Sequence, residues 1–212
     1  PPSPPLYNPA KGTAEHDGIH TFHLSKNSRV KYVERHYARG NGESRQVFDP
    51  VTTVYLDEGA YLEMDTTQMG GVTYTERKTY AEVGNGAKLI VKEKLFTENE
   101  EKAISDFCVV LKGKNSSADI VSRSVARDKS VQEFRSDMRG ENECFGHVEC
   151  DGILLDGARI ISTPKIDAAS PDASLVHEAA VGKIAGEQLV KLMSLGLTET
   201  EAEEAVIKGF LN

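Results

Sequence analysis

The chain has 212 residues, 39% hydrophobic and 27% charged, with a formal net charge of −8; that length supports one substantial core, or an elongated domain with a small appendage, rather than two equal globular domains. The acidic balance and the lack of any basic run give nucleic acid no electrostatic reason to bind. No stretch approaches eighteen apolar residues and the start, Pro1-Pro2-Ser3-Pro4-Pro5, lacks the build of a secretory signal, so a soluble cytoplasmic protein with no membrane partner is expected.

Residues 1–17 are rich in proline and polar residues and read as an extended N-terminal arm without a core of its own. From residue 18 to 171 the chain reads as a β core. Apolar and polar residues alternate through short predicted strands at 30–32, 51–56, 60–64, 72–80, 87–91, 107–111, 120–125, 131–134, 153–155 and 159–161. A loose repeat lies within it: Ala60, Ala87, Ala118 and Ala158 each follow turn-type residues and precede an aliphatic residue by two. A recurring turn, small and aliphatic unit fits a β-solenoid, whose coils bury a small side chain at each bend. An ordinary β-sandwich reusing its turn chemistry is the competing reading.

Residues 172–212 change to alanine, leucine, glutamate and lysine and read as a segment with two helices. The first puts Leu189, Leu192 and Met193 on one face and ends at Gly196, where a left-handed cap belongs. The second starts at Thr198, which forms a capping box with Glu201, and carries the stripe Ala202, Ala205, Val206 and Phe210. Two short helices bury little alone. A spare apolar surface including Leu189, Met193, Gly196, Leu197, Val206 and Phe210 is therefore expected to meet a partner.

Three cysteines, Cys108, Cys144 and Cys150, are too few and too odd in number for a disulfide framework, so reduced thiols are expected. The densest reactive cluster runs from Cys144 through His147 and Glu149 to Cys150 and Asp151, ligand types that suit zinc or iron. On a strand, however, alternation sends Cys150 to one face and His147, Glu149 and Asp151 to the other, so one strand cannot close a four-ligand site. A buried structural cysteine beside a polar surface is the bland alternative. His177-Glu178 is a second candidate, against which stands a solvated polar turn. There is no P-loop, no dinucleotide fingerprint at Gly84-Asn85-Gly86 and no nucleophile elbow. A thiol hydrolase using Cys150 with His177 would lack a visible orienting group and oxyanion hole.

Several motifs occur in one order: Gly146-His-Val-Glu-Cys150-Asp-Gly-Ile-Leu-Leu-Asp156, Pro164-Lys-Ile166, Leu175-Val-His177-Glu-Ala-Ala-Val-Gly-Lys-Ile184, Glu187-Gln-Leu189, Leu192-Met-Ser-Leu-Gly-Leu197 and Gly209-Phe-Leu211. Together they resemble the C-terminal signature of the SufB and SufD scaffold family. Val30-Lys-Tyr32-Val-Glu34-Arg-His36 is similar to the family's Tyr-x-Glu-x-His segment. The resemblance implies a right-handed parallel β-helix with a C-terminal helical region that docks a SufC-like ABC ATPase. It implies a non-enzymatic scaffold on which a transient iron–sulfur cluster forms where two β-helices meet, with ATP acting only through the partner. Sulfur donor and cluster acceptor proteins would be further partners.

Residue by residue, Cys150 matches the cysteine implicated in cluster assembly in the SufB branch and Glu178 its paired glutamate, which makes these two the implied metal ligands. The SufD branch carries a different residue at the position of Glu178, so the chain looks SufB-like. His177 would be a third ligand or would position Glu178. Cys144 and His147 match no family position securely and stay secondary candidates. The chain is much shorter than large family members and lacks their N-terminal region, with its persulfide-accepting cysteine. It reads either as a fragment or, the preferred reading, as a reduced form serving both roles as a homodimer in place of a pairing with a SufD-like paralogue.

Overall fold

The computed structural model describes residues 6–8, 13–37 and 45–212. Much of the expected arm, residues 1–5 and 9–12, lies outside the described residues; within it β1 (Leu6–Asn8) pairs antiparallel with β2 (Thr13–His16). The strands that follow are β3 (Ile19–Leu24), β4 (Arg29–His36), β5 (Arg45–Phe48), β6 (Val51–Leu56), β7 (Tyr61–Met69), β8 (Tyr74–Val83) and β9 (Lys88–Thr97). The chain continues through β10 (Lys102–Leu111), β11 (Ser116–Ala126), β12 (Val131–Gly140), β13 (Cys144–Leu154), β14 (Arg159–Ala168) and β15 (Ala173–Gly182). Two helices, α1 (Gly186–Ser194) and α2 (Glu199–Leu211), end it.

From β6 onward successive strands alternate between two sheets, and each pairs in parallel with the strand one coil away: β6, β8, β10, β12 and β14 in one, β7, β9, β11, β13 and β15 in the other. β3 and β4 add a further coil to β6 and β7. With 61% of the chain in strands and about six turns, the fold is a parallel β-solenoid, which decides against the sandwich. The alternation has a simple cause. In β9, Leu89, Val91, Glu93 and Leu95 are buried while Lys88, Ile90, Lys92 and Lys94 are not, so every second residue points into the stack. Equivalent positions then lie over one another, as Met64, Val91, Ile120 and Val148 do. Burying such aliphatic side chains contributes about 1.5–3 kcal/mol each.

The corners repeat as regularly as the strands. Asn27, Gly59, Gly86 and Asn115 all have φ near +60°, and each donates its backbone N–H to the corner of the next coil: to Glu58, Asn85, Lys114 and Glu143, at 2.7–2.9 Å. Asn99, Asp128 and Asp156 take the same left-handed φ at the opposite corner, where the N–H of Asn99 and of Asp128 donates to the side-chain carboxylate of the next, Asp128 and Asp156. Only glycine, asparagine and aspartate tolerate this left-handed geometry readily, which explains the turn residues in the sequence. The alanine repeat is half in phase. Ala60 and Ala87 do fill equivalent corners, but Ser116 fills the next, Ala118 lies inside β11, and Ala158 sits on the opposite corner.

The C-terminal helices form where the capping residues require. Gly196, at φ +99°, donates its N–H to Met193 to close α1, and Thr198 and Glu201 form the expected capping box on α2. Ala202 and Leu211 are buried, and Leu211 joins Val125 and Leu155 in a satellite core packed by Ile207 and Phe210. No helix among the described residues is long and apolar enough to cross a membrane.

Candidate functional site

β13 carries the reactive cluster and splits it by parity. Cys144 and Cys150 are buried inside the stack, whereas His147, Glu149 and Asp151 lie on the outer face. Cys150 is 1% exposed, and burial pushes its thiol up to about 11, because a thiolate there would lose its hydration. Ser162, from β14, pulls weakly the other way; its Oγ is buried without a well-formed hydrogen bond. On the outer face His147 Nδ1 lies 2.8 Å from Asp119 Oδ1, and burial, then the hydrogen bond and charge of Asp151, raise the Glu149 carboxyl.

Strand pairing places the other candidates on β15. His177 lies opposite Val148, Glu178 opposite Glu149, and Ala179 opposite Cys150. His177 therefore shares the inner face with Cys150 at a diagonal position. Its Nε2 is buried with no hydrogen-bond partner among the described residues, and burial, reinforced by nearby His147, lowers its pKa. Glu178 is exposed on the outer face. A single chain thus brings Cys150 and His177 to one side of the sheet and leaves Glu178 on the other. Among the described residues no group of three or more His, Cys, Asp or Glu side chains is placed to hold a metal ion.

Cys150 also belongs to a column of inward residues running through the stack: Glu34, Thr66, Glu93, Ser122 and Cys150 are paired in that order from coil to coil, and Ala179 follows on β15. Glu93 accepts hydrogen bonds from Ser105 and Ser122, both at 2.7 Å. At the far end Glu34 lies 3.0 Å from Arg77 Nη1 and is hydrogen-bonded to His36. Burial alone would raise the Glu34 carboxyl, but the His36 hydrogen bond and the Arg77 charge together hold it at about 2. Burial, and then the Glu34 charge, pushes Tyr32 up to about 12. The Tyr32, Glu34 and His36 motif therefore faces inward, where the sequence reading left it without a role. Arg77, Glu93, Ser122 and Ser162 were missed; the available signal was a polar residue at the inward parity of an otherwise apolar strand, as in Leu89-Val91-Glu93-Leu95.

The last coil is the open end of this column. β14 and β15 are terminal in their sheets among the described strands, and every residue of both is exposed or half-buried. Of the residues expected to meet a partner, Met193 and Gly196 are exposed, Leu189, Leu197 and Val206 are half-buried, and Phe210 packs on the satellite core. Val190 and Leu195, which the sequence reading did not select, are the most exposed apolar residues of this segment.

Fold and site define a parallel β-solenoid with a buried thiol one rung below an open coil. Residues 11–210 match the family model described as SUF system FeS cluster assembly, SufBD core domain. The chain belongs to this SufBD family. It is 30% identical over 203 residues to an iron–sulfur cluster assembly SufBD family protein of Methanothermobacter thermautotrophicus, covering 94% of this chain and 48% of that protein. A protein of the same name from Archaeoglobus fulgidus is 30% identical over 197 residues, 92% of this chain and 52% of the relative. One from Mycobacterium bovis is 28% identical over 212 residues, 98% of this chain and 24% of the relative. The chain thus spans about half the length of the first two, and less of the third.

Proposed function

We propose that the chain is a cytoplasmic, non-enzymatic scaffold subunit of a SUF-type complex, on which an iron–sulfur cluster is built as cargo at the junction of two β-solenoids. The observation that carries this reading is the open last coil: among the described residues its strand edges are unpaired one rung above Cys150, and His177 Nε2 is buried there without a hydrogen-bond partner. Exposed edges favour pairing with a second solenoid, a copy of this chain or a SufD-like paralogue. A soft thiolate from Cys150 would hold sulfide or iron, and a hard, exchangeable carboxylate from Glu178 would let the cluster leave for an acceptor protein. His177 supplies an imidazole nitrogen or orients its neighbour. α1 and α2 would dock a SufC-like ABC ATPase, whose ATP cycle opens the junction. Reconstitution with iron and sulfide under anaerobic conditions, with that ATPase present, tests this reading. Cys150→Ser and Glu178→Ala should each abolish most cluster yield, and wild-type yield in both would refute the site.

The outward direction of Glu178, away from Cys150, favours a second reading, a structural adaptor that positions ATPase subunits without holding a cluster. It predicts normal ATPase binding with no iron or sulfide retained by the complex.

A further inference from the structure

A cavity of about 500 Å³ lies between α2 and the ends of β4, β7 and β9, and neither Cys150, His177 nor Glu178 lines it. Its floor is apolar, made by Met69, Phe96, Ile207 and Leu211. Its walls are cationic: Arg35, Lys94, Arg127 and Lys208 line it, against the single carboxylate of Glu204. This concentration of positive charge stands out in a chain of net charge −8. Two of the cations are partly neutralised, Arg35 by Asp65 at 3.0 Å and Arg127 by Glu203 at 3.9 Å. Lys94 Nζ donates to a main-chain oxygen of Asn212 at 3.2 Å, and among the described residues Lys208 has no ion pair.

We infer that this cavity is a binding site for an organic anion whose apolar or aromatic body lies on the Phe96 floor and whose anionic group meets Lys94 and Lys208. Four considerations support this assignment. The volume falls in the range of small-molecule sites. An apolar floor stabilises a ligand's body by removing it from water but cannot select its charge. Lys94 and Lys208, neither of which is paired with an Asp or Glu side chain among the described residues, select an anion over a neutral or cationic analogue. The walls come from strands locked in the solenoid and from a helix anchored by buried Ala202 and Leu211, so the site is preformed.

The test uses the full chain and a matched pair of fluorescent probes, anionic 8-anilinonaphthalene-1-sulfonate and its neutral counterpart N-phenyl-1-naphthylamine. The sulfonate should bind saturably at one site, about tenfold more tightly than the neutral probe. Charge reversal by Lys94→Glu or Lys208→Glu should weaken the sulfonate about tenfold or more while the neutral probe changes little. Lys88→Glu, an exposed reversal outside the cavity, should leave both unchanged. Lys208 is exposed on α2, so its variant keeps the test valid should Lys94→Glu alter the melting temperature. Equal affinity for the two probes, or sulfonate binding indifferent to both cavity lysines, overturns the assignment. Because the readout involves no cluster, it stands or falls separately from the scaffold reading.

Discussion

Cys150 and Glu178 sit on adjacent parallel strands only one register position apart, yet their side chains leave the sheet on opposite faces. Any chemistry that joins them needs either a second chain presenting its own glutamate or a displacement of β15.

The thiol itself should be quiet in the isolated chain. With burial holding it at about 11, the thiolate fraction at pH 8 is smaller than that of a free cysteine by about a hundredfold or more. Alkylation of Cys150 by iodoacetamide, followed by peptide mass spectrometry, should be slower by that factor. Rates matching free cysteine in the isolated chain would contradict the buried geometry.

The Glu34 and Arg77 pair makes a prediction about stability. Both side chains are under a tenth exposed, so Arg77→Met leaves a buried carboxylate without its cation and should cost about 3–5 kcal/mol. The double variant Glu34→Met with Arg77→Met should recover much of that loss. Urea unfolding of the four proteins of the cycle measures the coupling, and strictly additive effects would show that the pair is not a unit.

The same carboxyl sets an acid limit. Its folded pKa of about 2 lies below its ordinary value of 4.5, so the folded state binds this proton less readily than the unfolded chain. The resulting stability is present above about pH 4.5 and is lost as pH falls toward 2, on the order of 3 kcal/mol in all. In Glu34→Gln the unfolding free energy should fall less steeply across that interval than in wild type. Parallel pH profiles would count against the network.

Two corner glycines should respond unequally to alanine. At Gly86, with φ +60° and open space around the site, alanine meets only the left-handed penalty of about 1–2 kcal/mol. A Cβ at Gly113 would lie 2.1 Å from the backbone of Gly84 and Asn85, so the coils must separate to admit it. Gly113→Ala should therefore lower the melting temperature by several times as much as Gly86→Ala, and similar shifts would mean that the corner stack yields easily.

Alternation and turn chemistry carried the fold because both are local: parity decides which residues enter the stack, and left-handed corners demand glycine, asparagine or aspartate. The alanine repeat was less informative, since Ser116 fills the same corner as Ala60 and Ala87 and a search keyed to alanine slips by two residues at Ala118. The splitting of Cys150 from His147 and Glu149 also followed from parity. What stayed hidden was pairing between coils. Glu34, Thr66, Glu93, Ser122 and Cys150 are spread over more than a hundred residues, and only register reveals that they form one column. The cationic cavity was invisible for the same reason, as Arg35, Lys94, Arg127 and Lys208 are joined only by folding.

The coil stack also has a mechanical character. Neighbouring coils are tied by strand ladders of about ten residues on each side, but each coil is linked to the next by a single passage of the chain. Pulled from its two ends, such a body should not yield all at once. It should peel from the exposed last coil inward, releasing roughly 100 Å of chain for each coil of about 28 residues, in a series of similar steps.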